Sequence, residues 1–167
     1  ACRGHRFEAL FKIAVRNGLR QGELLGLKWN DLNWETNELF IQRQLQRLPR
    51  KGLLLVEPKT EKSKRIIVLG QDSMNALKTH KNQQYSDQQF AGEKWQENGL
   101  IFSSRNGTPY DPGALFKEYK RILEKADLPD FRFHDLRHTA ISLMHKQGIP
   151  LKVVQESVGH SDESLTL

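Results

Sequence analysis

With one cysteine, Cys2, among 167 residues, the chain cannot form an internal disulfide, and this suits a reducing compartment. It has no apolar run long enough to span a bilayer and shows no secretory leader, so the expected setting is the cytoplasm, with no membrane partner. No glycine-rich loop ends in Lys followed by Ser or Thr, which leaves nucleotide hydrolysis without support. Neither an internal repeat nor a domain linker is visible. Tyrosine is scarce too: only Tyr85, Tyr110 and Tyr119 are present. The length suits one domain with a real core.

What the chain does have is positive charge, placed unevenly. Its net charge is +6. Residues 1–70 carry 14 Lys and Arg against 7 Asp and Glu, whereas residues 71–167 carry 12 against 13. The excess gathers at Arg43, Arg47, Arg50, Lys51, Lys59, Lys62, Lys64 and Arg65, a stretch suited to phosphate contacts along double-stranded DNA. A solvated basic hairpin is the plainer reading of the same residues.

The hydropathy pattern predicts a mainly helical α+β domain with a small three-stranded antiparallel sheet. Phe7, Leu10, Phe11, Ala14 and Val15 follow helical spacing, and Gly18 stops that helix. A short helix is expected over about Gln21–Leu27. Strands are expected at Leu39–Ile41, Leu53–Val56 and Ile66–Leu69, with turns at Asn33–Asn37, Arg50–Gly52 and Thr60–Ser63. Asp72 or Ser73 caps a helix running into the 80s, and Gln83–Gly92 reads as a variable loop. Leu100–Phe102 reads as a short extended piece. Asp111-Pro112 opens a helix whose inner face is Leu115, Phe116, Tyr119, Ile122 and Leu123. Two more helices follow, His134–Gln147 ended by Gly148 and Leu151–Val158 ended by Gly159.

Three short segments carry chemistry. They are Gly18-Leu19-Arg20 with Glu23 three residues on, His134-Asp135-Leu136-Arg137-His138-Thr139, and Val158-Gly159-His160-Ser161. Together they supply two arginines and two histidines. Guanidinium groups match phosphate oxygens and stay charged, and imidazole exchanges protons near neutrality. Glu23 can brace Arg20 or another basic group, or it can be an ordinary first-turn helix charge. His134 and His138 have the spacing of a zinc pair. However, Arg137 would repel a cation there, and Asp135 stands where glutamate is required, so no metal is expected. His138 and Thr139 read as packing positions, and Trp29, Trp34 and Trp95 as core or edge residues.

These segments, in this order, resemble the three boxes of the tyrosine recombinases, the phage-integrase family. Glu57-Pro58-Lys59-Thr60-Glu61-Lys62-Ser63-Lys64-Arg65 resembles the hairpin carrying that family's catalytic lysine. The resemblance runs from Leu10 to the C-terminus. It implies that residues 1–167 are a catalytic domain, with a separate N-terminal DNA-binding domain and the tyrosine segment both outside it. In the family the nucleophilic tyrosine follows the third box by roughly two to three helical turns. Leu167 falls short of that point, and the three tyrosines present lie upstream of the second box, so no nucleophile is expected in this chain.

The resemblance also assigns roles. Arg20 and Arg137 bind the non-bridging oxygens of the scissile phosphate, His134 manages the nucleophile's proton, and His160 hydrogen-bonds the phosphate. Lys59 is the expected proton donor to the departing 5′-oxygen, with Lys62 and Lys64 as rivals. No metal or other cofactor is implied. The expected partners are double-stranded DNA and, in the full-length enzyme, three further copies in a homotetramer. A different class also fits part of the chain: Ile141–Gln147, Gly148 and Leu151–Ser157 mimic a helix-turn-helix, as in a non-catalytic DNA-binding or accessory module. The two readings differ in geometry. An enzyme gathers its arginines and histidines around one phosphate, and a repressor scatters them.

Overall fold

A computed structural model describes residues 2–58 and 63–159. Its centre is α1 (Glu8–Asn17), which buries Ala9, Leu10, Phe11, Ile13 and Ala14. The helix ends where predicted, at Gly18, whose φ of 66° is left-handed and whose N–H donates to the Ala14 carbonyl at 3.0 Å. Gly18 is needed for a second reason. A Cβ there would lie 3.0 Å from Val158 and 3.2 Å from Ala140, so the chain passes tightly beneath two later helices.

The short helix α2 (Gln21–Gly26) follows at once, with Glu23 at its third position accepting from the backbone N–H of Arg20. Its two glycines set how closely it packs. Added Cβ atoms would come within 2.9 Å of the Leu45 carbonyl at Gly22 and within 2.9 Å of the Gln44 Cα at Gly26. The helix therefore rests directly on the backbone of a strand.

That strand is a departure from expectation. In place of one three-stranded sheet, the described residues form two antiparallel pairs. β1 (Glu38–Ile41) pairs with β4 (Arg65–Val68), in register from Glu38 opposite Val68 to Ile41 opposite Arg65. β2 (Gln44–Leu48) pairs with β3 (Gly52–Val56). The unexpected member is β2, whose sequence Gln-Leu-Gln-Arg-Leu has little apolar content; its most buried residue, Leu45, faces the core beneath α2. The Asn33–Asn37 turn forms as read, with the Asn33 side chain accepting from the N–H groups of Glu35 and Thr36.

A second departure concerns α3 (Gln71–Ala91), which runs through the segment read as a loop and starts from Gly70 with no side-chain cap. The reason lies in two buried polar residues on its inner face. Gln84 donates to the Leu100 and Ile101 carbonyls and to Ser103 Oγ, and accepts from Trp29 Nε1 at 2.7 Å. His80 sits between the carbonyls of Arg6 and Ile101. Polar side chains that look like loop composition thus clamp the extended piece at 100–103 onto the helix.

α4 (Pro112–Lys125) is capped by Asp111, whose Oδ1 accepts from Gly113 and Ala114 N–H. Leu115, Tyr119 and Leu123 are buried as expected, whereas Phe116 is largely exposed. α5 (Asp135–Lys146) packs on α1, and α6 (Leu151–Val158) packs on both α5 and β4. Ile141, Met144, Val154 and Val158 form a small core of their own between the last two helices. No helix among the described residues is long and apolar enough to cross a membrane.

The packing of α2 on β2 yields a stability prediction. Gly26→Ala should destabilise the fold by about 1–3 kcal/mol, the usual cost of overpacking against a backbone that cannot yield. Urea denaturation measures it. A change within about 0.5 kcal/mol of zero, the range of surface substitutions, would show that α2 can back away from the strand.

Candidate active site

Arg137 is the innermost polar residue of the site. It leaves the first turns of α5 only 2% exposed and donates from Nη1 to the Gly18 carbonyl at 2.6 Å. A helix C-terminus leaves carbonyls without partners, and the end of α1 offers this one to a cation. Nη2 of Arg137 is buried and has no hydrogen-bond partner among the described residues. Burial, and after it the charge of Arg20, lowers its pKa to about 10, so the group stays cationic at neutral pH.

Arg20 stands two residues past the glycine that ends α1, at the N-cap of α2. Its side chain is 42% exposed, and it reaches Glu23 Oε1 at 3.3 Å and the Gly159 carbonyl at 3.5 Å. It thus bridges the first segment to the end of α6 while keeping much of its guanidinium open to solvent.

His134 is the exposed N-cap of α5. Its imidazole is held below the ordinary histidine range, first by partial desolvation and then by His138, Arg137 and Arg20. The structure therefore brings Arg20, His134 and Arg137 into one electrostatic neighbourhood, although 114 residues separate the first two in the chain. His138 is exposed and sets its ring edge-on to His134, with centroids 5.2 Å apart, so it is a neighbour of the site rather than a packing position. Periodicity contains that signal, since positions four apart share a helix face. Lys59, Lys62 and His160 lie outside the described residues.

Glu23 is 6% exposed and serves two arginines. Burial pushes its carboxyl up, but Arg65 and then Arg20 outweigh that and hold it below the usual range. Arg65 grips it with both ends of its fork, at 2.9 and 3.1 Å, and its side chain is only 7% exposed. Position in the sequence groups Arg65 with the DNA-contacting residues; its guanidinium instead turns inward.

The remaining basic residues divide by exposure. Arg43 pairs with the buried Asp31, and Arg47 with Asp111. Arg50 and Lys51 are exposed at the β2–β3 turn, and Lys64 pairs with Glu57 at 3.3 Å. Two of the three tyrosines are packing groups: Tyr119 stacks on Phe11 and meets Phe133 edge-on, and Tyr110 lies edge-on to Phe7. Burial pushes both phenols above their ordinary range, the wrong direction for a nucleophile. Tyr85 lies exposed on α3. Among the described residues, no three His, Cys, Asp or Glu side chains converge as metal ligands would.

A mainly helical domain that gathers two arginines and a histidine from distant segments, beside a basic hairpin, has the makings of a phosphate-directed site. Across residues 1–167 the chain matches the phage integrase family, and it belongs to that family. It is 39% identical to a tyrosine recombinase XerC-like protein of Caldanaerobacter subterraneus subsp. tengcongensis, over 99% of this chain and 45% of that relative. The chain therefore spans under half of that relative's length. The integrase of transposon Tn1549, solved in complex with transposon right end DNA, superposes with a TM-score of 0.76 at 27% identity, covering 96% of this chain and 53% of that one. XerA recombinase shares the fold, with a TM-score of 0.77 at 20% identity over 99% of this chain and 53% of that one.

The proximity of the two histidines yields a titration prediction. His138→Gln should raise the pKa of His134, because it removes one of the positive neighbours that hold it down. Proton NMR of the imidazole resonances reports this directly, and an unchanged His134 titration would mean that the ring contact carries no charge coupling. The linkage has a definite sign. A histidine whose folded pKa is depressed contributes stability above its unfolded value, near 6.5, and loses it as pH falls through the folded value. The variant should therefore lose less stability on the acid side.

Proposed function

We propose that this chain is the phosphate-activating part of a site-specific recombinase that cleaves and rejoins double-stranded DNA through a 3′-phosphotyrosyl intermediate. The observation that carries the reading is Arg137: a buried guanidinium whose Nη2 has no partner among the described residues, within electrostatic reach of the half-exposed Arg20. A buried cation with spare donors calls for an anion, and two adjacent forks suit the non-bridging oxygens of one phosphodiester.

Catalysis then follows from charge. Attack by a tyrosine hydroxyl on the phosphorus makes a pentavalent transition state in which negative charge builds on the non-bridging oxygens. Arg20 and Arg137 are fixed where that charge develops and need little reorganisation. His134, held neutral by its surroundings, is suited to take the tyrosine proton, and His160 to add a hydrogen bond to the phosphate. The bond to the 5′-oxygen breaks as the tyrosyl bond forms, and Lys59 donates the proton that the departing alkoxide requires. Because the phosphotyrosyl bond retains the energy of the broken linkage, no metal or high-energy cofactor enters. The reverse attack by a 5′-hydroxyl reseals the strand, and strand exchange between duplexes proceeds in a homotetramer.

The nucleophile is assigned to sequence following the third box, since the tyrosines at 85, 110 and 119 are exposed elsewhere or packed. Within the basic stretch, Arg50, Lys51 and the exposed Arg47 are assigned to the DNA backbone, together with Lys62 and Lys64. The Arg47–Asp111 pair is open to solvent, where exchanging a carboxylate for a phosphate costs little. The helix-turn-helix reading accounts for α5 and α6 but leaves the meeting of Arg20 with Arg137 unexplained.

A chain continued through the tyrosine separates binding from chemistry. Lys59→Ala should slow cleavage by about 10² to 10⁴, the range of a general acid, with little effect on DNA affinity. On a substrate with a 5′-bridging phosphorothiolate, the leaving thiolate needs no proton and the defect should largely vanish. If the defect persists there, Lys59 is not the acid and Lys62 or Lys64 takes its place. Arg50→Ala should instead weaken binding and reduce the slope of log affinity against log salt by about 0.9, the increment for one phosphate neutralised. An unaltered slope would remove Arg50 from the interface.

A further inference from the structure

We propose that Arg65 is a positioning residue of this site: by occupying both oxygens of the Glu23 carboxylate, it keeps that carboxylate from capturing Arg20 and leaves Arg20 available to phosphate. The inference rests on the proposed role of Arg20 and goes beyond it.

The geometry is specific. Glu23 is nearly buried, and a buried carboxylate must find a cation. Two are within reach, and they are held differently. Arg65 makes a closed fork, Nη1 to Oε1 at 2.9 Å and Nη2 to Oε2 at 3.1 Å. Arg20 makes one longer side-chain contact, at 3.3 Å, along with its backbone N–H bond to the same carboxylate. Arg20 is also the freer partner by exposure, 42% against 7% for Arg65. With Arg65 removed, the buried charge would be satisfied by drawing the Arg20 guanidinium inward.

The Arg65 guanidinium is fixed from a second side. Its Nε donates to the Ser157 carbonyl at 2.7 Å, near the end of α6. A Cβ at Gly159 would fall 2.8 Å from Nη1, so the residue before His160 is seated against Arg65. Arg65 therefore ties β4, α2 and the end of α6 together, and its fork cannot swing toward solvent without releasing all three. This is the opposite of a DNA contact. Charge density along the sequence cannot reveal it, because linear density says nothing about which way a side chain points.

The test is a double-mutant cycle in a chain continued through the tyrosine, read as the rate of covalent complex formation on a suicide DNA substrate. Arg65→Met keeps the stem and removes the charge; it should slow cleavage by about 10- to 100-fold, in line with coupling energies inside one ionic network. The second variant, Glu23→Gln, removes the charge that Arg65 restrains. If Arg65 acts by occupying that charge, the double variant should react within about threefold of Glu23→Gln alone. A role limited to tying the elements together predicts no such recovery. A double variant slower than Glu23→Gln by about tenfold or more overturns the proposal.

Should Arg65→Met alone fail to fold, the comparison of the double variant with Glu23→Gln still decides the matter, because neither buries an unpaired carboxylate and in Glu23→Gln the Arg65 guanidinium keeps the Ser157 and Ser63 carbonyls. DNA affinity adds an independent reading. Arg65→Met should leave the salt slope of binding unchanged, whereas a slope lowered by about 0.9 would make Arg65 a phosphate contact and overturn the assignment. Failure of the unsubstituted chain to form any covalent complex would instead defeat the recombinase reading itself, so the two failures are told apart.

Discussion

The site depends on one buried cation and the carbonyl that holds it. Arg137 sits inside the domain because the end of α1 presents the Gly18 carbonyl to it, and Gly18 can occupy that place only as a glycine. Its left-handed φ closes the helix. Its missing side chain lets Val158, Ala140 and the Arg137 stem approach. A larger residue would push α5 and α6 away from α1 and take Arg137 with them. The packing of three helices and the position of a charged group therefore rest on the same residue. This explains how groups at 20, 134 and 137 are fixed relative to one another: the helix ends that carry them are packed together at Gly18.

Around that cation the charges are unequal. Among the described residues, Arg20 and Arg65 both act on the Glu23 carboxylate, and all three groups act on Arg137. A structural ion-pair network would be expected to balance more closely, because a buried unmatched charge is costly. Here the surplus is concentrated at Arg20 and Arg137, the two arginines without a closed fork. Arg65, which has one, is satisfied internally and turned away from solvent. The imbalance thus has a direction, toward the exposed start of α5.

Much of this is legible in the order of residues alone, and the parts that are not share a cause. Helix α1 with its Gly18 stop, α4 with its Asp111-Pro112 start, and α6 with its Gly159 end can be read because periodicity and caps are local. The segments around Arg20 and Arg137 stand out in the sequence because their residue types constrain chemistry, and the structure brings those two arginines into one neighbourhood. The loop expected at Gln83–Gly92 is helix because Gln84 is buried against the carbonyls of Leu100 and Ile101, a non-local pairing that composition cannot show. β2 escapes sequence reasoning because Gln-Leu-Gln-Arg-Leu has little apolar content of its own and is held by its ladder with β3 and by the close packing of α2. Arg65 looks like a DNA contact for the same reason, since its true partners lie 42 residues away at Glu23 and 92 away at Ser157.

The unequal charges also bear on His134. Desolvation, His138, Arg137 and Arg20 all favour its neutral form in the free protein. A neutral imidazole can accept a proton, and an imidazolium cannot. A phosphodiester bound between Arg20 and Arg137 would offset two of those positive neighbours, so the proton affinity of His134 would rise as DNA binds. On the proposed function, the free site would hold His134 neutral and the DNA-bound site would make it the stronger base. In that proposal both states would follow from the same two guanidinium groups.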